Sequence, residues 1–241
     1  MAPWVANLAA LAVALADCGE QADAPRWPVA LSGSDALVPP GSRFGEAFRS
    51  FHFEPSDDQA FDVTIAQEWA TKGLACVVWP AAEALARHLA TLDLRGLSVL
   101  ELGCGCALPA IVAARRGASL VVATDRQAAL GCTRRNFNMN NNGTIASGTS
   151  FEAVSLDWTD SVELEELAGR GPWDVVLGAD LVYAEDVFDP LRLVLERLVT
   201  NNTLLLLAGK QRYAARWRKF KRRLASFSGP DLLRRGRSST P

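Results

Sequence analysis

Histidine is nearly absent from this 241-residue chain, and no uninterrupted apolar run is long enough to span a bilayer. The two histidines, His52 and His88, fall in a candidate strand and in an amphipathic helix, where ordinary surface or core roles suit them. Cys104 and Cys106 offer two soft ligands with no second cluster nearby, whereas zinc wants about four at characteristic spacing, so no metal centre is expected. The five cysteines, at 18, 76, 104, 106 and 132, are odd in number and scattered, unlike the paired framework of a small secreted domain. That pattern favours a reducing compartment, the cytoplasm or the nucleus. The opening "MAPWVANLAALAVALA" has the apolar stretch of a secretory signal, but no Lys or Arg precedes it, and a plain N-terminal helix is the expectation. The glycosylation-type triplets at Asn142 and Asn201 matter only under a secretory reading.

What is present is a hydrophobic content of 49%, enough for one large domain with a real core. Charge is unevenly spread. From Gly209 onward eleven Lys/Arg face one acid, so the preceding 208 residues carry about −12 against a total of −2. Any nucleic-acid contact would therefore run through the C-terminal end, although a solvated basic helix face is the commoner arrangement.

Residues 1–45 read as a helix followed by a Pro-, Gly- and Ser-rich connector, 46–226 as the domain, and 227–241 as a basic tail. "FRSFHFE" and "FDVTIAQEW" alternate apolar and polar residues around "PSDDQ" and predict a hairpin. Pro80 then opens a helix with Ala81, Leu85, Leu89 and Leu92 facing inward. Beyond it, apolar runs at 98–102, 119–124, 151–156, 174–179 and 203–208 alternate with helical segments such as Leu108–Arg116 and Phe188–Val199. Such alternation predicts an α/β fold, a doubly wound Rossmann-like and mostly parallel sheet covered on both faces.

The stretch "VLELGCGCALPA" lies where the first parallel strand turns into a helix, the end at which open α/β sheets bind ligands. Gly103 and Gly105 permit positive φ and a close backbone approach to a ligand. Twenty residues after Gly105, Asp125 ends the run "SLVVATD", placed to accept hydrogen bonds from ribose hydroxyls. An adenosine-type cofactor follows. Leu108 replaces the third glycine of the dinucleotide fingerprint, and the carboxylate of Glu101 would repel a pyrophosphate. A cationic sulfonium with an ammonium, as in S-adenosylmethionine, suits that carboxylate better. A nicotinamide- or flavin-dependent oxidoreductase and a tight turn without any ligand remain the competing readings.

With Glu101 to Pro109 and Asp125 in hand, the sequence resembles the seven-strand, class I methyltransferases. "GLACVVWPAAEALARHL", "ELGCGCALPAIVAARRGA", "LDW" and "DVVLGADLVY" narrow the resemblance to the protein-lysine methyltransferase family 16 over about Phe51 to Ala208. It implies that Trp79 packs by the cofactor, that Gly103, Cys104 and Gly105 surround its methionine portion, and that Asp125 holds the ribose. It also implies that Asp157 and Trp158 lie by the adenine, and that Ala179 touches the cofactor from the fourth strand. Asp180 and Tyr183 of "DLVY" match the family's substrate-side motif, in which a carboxylate and an aromatic face orient a lysine amine; Asp180 could instead cap a following helix. The expected acceptor is lysine in a protein, with no membrane partner. Arginine, histidine, small-molecule and RNA methylation share the same cofactor loop.

One departure stands out. A seven-strand methyltransferase ends in an antiparallel hairpin, whereas "TLLLLAG" is followed by "RYAARWRKFKRRLASF", with Tyr213, Trp217, Phe220 and Leu224 spaced for one helix face. No final strand pair can be drawn from "SGPDLLRRGRSSTP", so the sheet is expected to lack that hairpin, which keeps open a catalytically inactive cofactor-binding module. The asparagines of "RRNFNMNNN" are expected to cap and turn a helix end.

Overall fold

A computed structural model describes residues 45–69, 73–141, 145, 148–209, 218–220 and 222. An antiparallel hairpin, β1 (Phe48–Phe53) and β2 (Phe61–Ala66), is followed by a 3₁₀ turn at Gly73–Cys76 and helix α1 (Pro80–Ala90). The remaining elements alternate: β3 (Ser98–Leu102), α2 (Leu108–Arg115), β4 (Leu120–Asp125), α3 (Leu130–Asn140), β5 (Ser150–Ser155), α4 (Ser161–Ala168), β6 (Val175–Ala179), α5 (Phe188–Leu198) and β7 (Leu204–Ala208). The five strands from β3 onward form one parallel sheet in the order β5-β4-β3-β6-β7. Chain order reverses between β3 and β6, and that switch point opens a crevice at their carboxyl ends.

Period-two alternation explains why apolar runs form this sheet. Val99, Val121, Val175 and Leu177 pack on one face with α1, α2, α3 and the hairpin. Leu100, Leu102, Val122 and Val176 pack on the other, beneath Phe188, Leu191 and Leu195 of α5. Helix α2 is buried from Leu108 through Ala114, as its unbroken apolar sequence requires. Pro80 occupies the first turn of α1, whose preceding residue Trp79 is extended. That helix closes at Ala90, so Leu92 lies beyond it, half-buried, rather than on its inner face.

The expected asparagine cap is Asn141, which ends α3, and Asn140 Nδ2 also donates to Asn136 O in the last turn. Asn136 and Asn140 turn sideways from α3 onto β2, where their side chains bond the main chain of Ala66 and Thr64. Both sit one helical turn apart, so one face of α3 closes the outer edge of the hairpin. At the other end of the chain, Phe220 is fully buried against Phe188, with ring centroids 5.5 Å apart, while Lys219 pairs with Glu185. The other three apolar positions of that basic segment, the expected N-terminal helix and connector, and the tract 228–241, on which the expected lack of a final hairpin rests, lie outside the described residues. Among the described residues no helix is long and apolar enough to cross a membrane.

Candidate active site

The glycine loop hangs from Leu102 and enters α2 through two left-handed residues, Gly103 at φ 59° and Gly105 at 50°, followed by Ala107 at 62°. A Cβ on Gly103 would stand 2.7 Å from Leu181 Cδ2 and 3.6 Å from the Trp158 ring. One on Gly105 would stand 2.5 Å from the main-chain oxygen of Ala75. The loop is thus gripped between the Gly73–Cys76 turn on one side and the segments after β5 and β6 on the other. At Gly105 only glycine satisfies both the backbone angle and the space, because the obstacle is main chain; at Gly103 it is the tip of a side chain.

Glu101 is fully buried, and its Oε2 accepts from Ala110 N at 2.9 Å. Ala107 cannot cap α2 with its own side chain, so a carboxylate from the neighbouring strand does so. Burial pushes the Glu101 pKa well above the usual carboxylate range, the Ala110 bond opposes that rise, and the Asp125 charge adds to it. Asp125 Oδ2 accepts from Gly105 N at 2.8 Å, and its Oδ1 from Arg126 N at 2.7 Å. Its pKa too is raised by burial against those two bonds. The second strand's acid therefore reaches directly under the loop, as its twenty-residue spacing from Gly105 predicts.

Cys104 donates its N–H to Thr124 O at 2.9 Å, and its sulfur lies 3.4 Å from Thr133 Oγ1. Burial holds that thiol in its protonated form. Cys106 and Cys132 are unbridged, with sulfurs 3.6 Å apart. Trp79 Nε1 donates to Leu74 O at 3.1 Å, which ties the tryptophan to the turn that packs on Gly105. Trp158 reaches Gly103 from β5's end. Beside it, the Asp157 carboxylate accepts from Thr159 N and Oγ1, bonds that hold its pKa below the ordinary value.

Register pairs Leu102 with Gly178, which brings Ala179 and Asp180 alongside Gly103. Asp180 adopts φ 58°, a left-handed angle costing roughly 1–2 kcal/mol in a residue with a Cβ, and its N–H donates to Ala208 O at 2.8 Å. Its reading as a helix cap is overturned, because α5 starts only at Phe188. Tyr183 is half-exposed. Burial raises its pKa, with Arg126, Asp186 and Asp125 within electrostatic reach. The fold thus brings Asp125 and Trp158 onto the glycine loop and sets Ala179 and Asp180 in register beside it, while Glu101 and Cys104 are buried behind it. Three participants escaped the sequence reading: Leu181 over Gly103, Thr133, whose hydroxyl donates to Gly105 O at 2.8 Å, and Asn136, which donates to Cys106 O at 3.2 Å. The available signal was polar side chains at positions 133 and 136 on the inward face of α3. A separate groove of about 800 Å³ runs between β1 and α1, and no candidate residue lines it.

The model of a family described as lysine methyltransferase matches residues 57–226. The chain is 37% identical over 183 residues to the protein N-lysine methyltransferase METTL21A of Mus musculus, covering 74% of this chain and 81% of that protein. It is 30% identical over 204 residues to EEF1A lysine methyltransferase 3 of the same organism, covering 81% and 84%. A solved structure assigned as a methyltransferase and complexed with SAH superposes with a TM-score of 0.50 at 14% identity, covering 73% of this chain. The present chain spans 46% of that one, and the likeness is one of fold.

Proposed function

This chain belongs to the lysine methyltransferase family, and from that premise we propose that it transfers a methyl group from S-adenosylmethionine to a lysine side chain in a protein. The observation that carries the reading is the pair of left-handed loop glycines, with the amide of Gly105 bonded to the Asp125 carboxylate. Its acidic, glycine-lined wall suits a ligand with a ribose and a cationic methionine portion and no phosphate. When bound, S-adenosylmethionine supplies an electrophilic methyl group on sulfur. Trp79, Glu101, Gly103, Cys104, Gly105, Asp125, Asp157, Trp158 and Ala179 are the residues we assign to holding it, with Asp125 accepting from the ribose hydroxyls.

On the acceptor side, Asp180 orients the incoming amine and Tyr183 narrows the approach to it. A carboxylate beside an aromatic face attracts and aligns a side chain that arrives as a cation, and in-line transfer then requires that the aligned ammonium lose one proton to solvent so that its lone pair faces the methyl group. The names of the relatives, protein N-lysine methyltransferases, support a protein acceptor. We keep the domain at 46–226, within which the family match at 57–226 falls. A reducing compartment such as the cytoplasm suits the unbridged thiols of Cys106 and Cys132.

The test is an acceptor screen: purified protein, methyl-labelled S-adenosylmethionine and a fractionated cell extract, followed by amino-acid analysis of the labelled product. Label in methyl-lysine that Asp180→Ala removes is the expected result. Label in arginine or histidine, or full activity in Asp180→Ala, would overturn the assignment of acceptor or of residue respectively.

A further inference from the structure

We infer that Asn136 is a positioning residue for the cofactor loop, through which the N-terminal hairpin sets the loop's geometry; the inference rests on the reading that this loop holds S-adenosylmethionine. Asn136 is fully buried and uses its whole amide. Its Oδ1 accepts from Ala66 N at 2.9 Å, and its Nδ2 donates to Ala66 O at 3.1 Å and to Cys106 O at 3.2 Å. Toward β2 it acts as one residue of an adjoining strand would. Toward the loop it holds the carbonyl directly after Gly105, the residue whose amide faces Asp125.

The hairpin grips the opposite wall as well, from Arg49 of β1 and from the residues that follow β2. Gln67 Oε1 accepts from Val78 N at 2.8 Å, Glu68 N donates to Cys76 O at 2.9 Å, and Arg49 Nη1 donates to Val78 O at 3.1 Å. Residues 66–68 thereby fix both the glycine loop, through Asn136, and the strand-like segment leading into Trp79. A hairpin that contributes no side chain to the proposed cofactor site nonetheless determines the distance between its walls.

Asn140 provides an internal control. One turn further along α3, its Oδ1 accepts from Thr64 N at 3.0 Å and its Nδ2 donates to Thr64 O at 2.8 Å and, within the helix, to Asn136 O at 2.7 Å. None of these three bonds reaches the loop. Substitution there strains the same hairpin edge and leaves Cys106 alone.

The experiment is calorimetric titration of the full chain with S-adenosylhomocysteine, comparing wild type with Asn136→Asp and Asn140→Asp, each shown to be folded by circular dichroism. Asn136→Asp is expected to weaken binding at least tenfold near pH 8, where a carboxylate would confront the Ala66 and Cys106 carbonyls, and to recover in part as the pH falls and the carboxyl regains one proton to donate. Asn140→Asp is expected to stay within twofold of wild type throughout. If Asn136→Asp fails to fold, the same comparison with Asn136→Ser and Asn140→Ser, neutral and too short to reach both partners, replaces it. Equal responses at the two positions, or none at 136, would overturn the inference alone. A folded wild type that binds no S-adenosylhomocysteine would remove the cofactor reading and this inference with it.

Discussion

On the α3 side of the glycine loop, Thr133 and Asn136 are fully buried and bond the carbonyls of Gly105 and Cys106. On the β6 side, Asp180 sits at a left-handed angle and Tyr183 is half-exposed. One wall has its polar groups paired inside a packed interior; the other carries backbone strain and an aromatic open to solvent. The contrast matches the two tasks that the proposed assignment gives these walls. A small cofactor rewards a rigid, pre-arranged cradle, since nothing need be ordered when it binds. A protein acceptor arrives as a surface, and residues that receive it must remain accessible.

The contrast breaks most completely at Gly105. Alanine there would combine the left-handed penalty, roughly 1–2 kcal/mol, with a collision against main chain that adds roughly 1–3 kcal/mol. Gly105→Ala is expected to destabilise the fold by that sum, roughly 2–5 kcal/mol, read as a lowered melting temperature, and to weaken S-adenosylhomocysteine binding as the loop shifts off Asp125. Gly103→Ala should be milder, because the atom it meets is the tip of the Leu181 side chain, which can turn away. Equal losses at the two glycines in parallel melts and titrations would mean that the turn at Ala75 is as yielding as Leu181.

The other wall should respond in the opposite sense. Asp180→Gly removes the carboxylate and relieves φ 58°, so stability is expected to remain within about 1 kcal/mol of wild type. Methyl transfer to whichever acceptor the screen identifies should fall by about a hundredfold, the usual scale for a group that acts at the reacting centre. Retained transfer alongside raised stability would make the strain at Asp180 a feature of the turn alone.

The sheet was legible because each strand is a short apolar run bounded by turn residues, and five predicted runs agree with five observed strands to within one residue at either end. Asp125 and the loop glycines were legible because spacing along a strand-turn-helix unit fixes where side chains converge. Asn136 was not. Its sequence neighbourhood reads as a polar helix end, and its partners, Ala66 and Cys106, are distant in sequence and engaged through main-chain atoms, which leave no side-chain signature. Leu181 was missed for a related reason: an apolar residue after a strand announces packing, but the atom it packs on is a glycine Cα that only the folded loop presents.

The smallest expected effect concerns Glu101, which stands between the two walls. Its sequence reading made the carboxylate a neighbour of the cofactor's positive charge, whereas the fold makes it the buried cap of α2 as well. Because burial raises its pKa in the folded chain, the folded state retains a proton that an unfolded carboxyl releases near pH 4.3. This group's contribution to stability is therefore full below that value and declines as the pH rises through the raised folded pKa. Glutamine keeps an oxygen for Ala110 N and carries no charge to bury. Glu101→Gln should then melt higher than wild type at pH 8, with the gap closing toward pH 4. Some slope should persist, since Asp125 is shifted in the same direction. If the carboxylate also attracts the cofactor, the same variant will bind S-adenosylhomocysteine more weakly while its unliganded fold is stronger. Unchanged binding with the flattened stability curve would confine Glu101 to capping α2 and leave cofactor recognition to the glycines and Asp125.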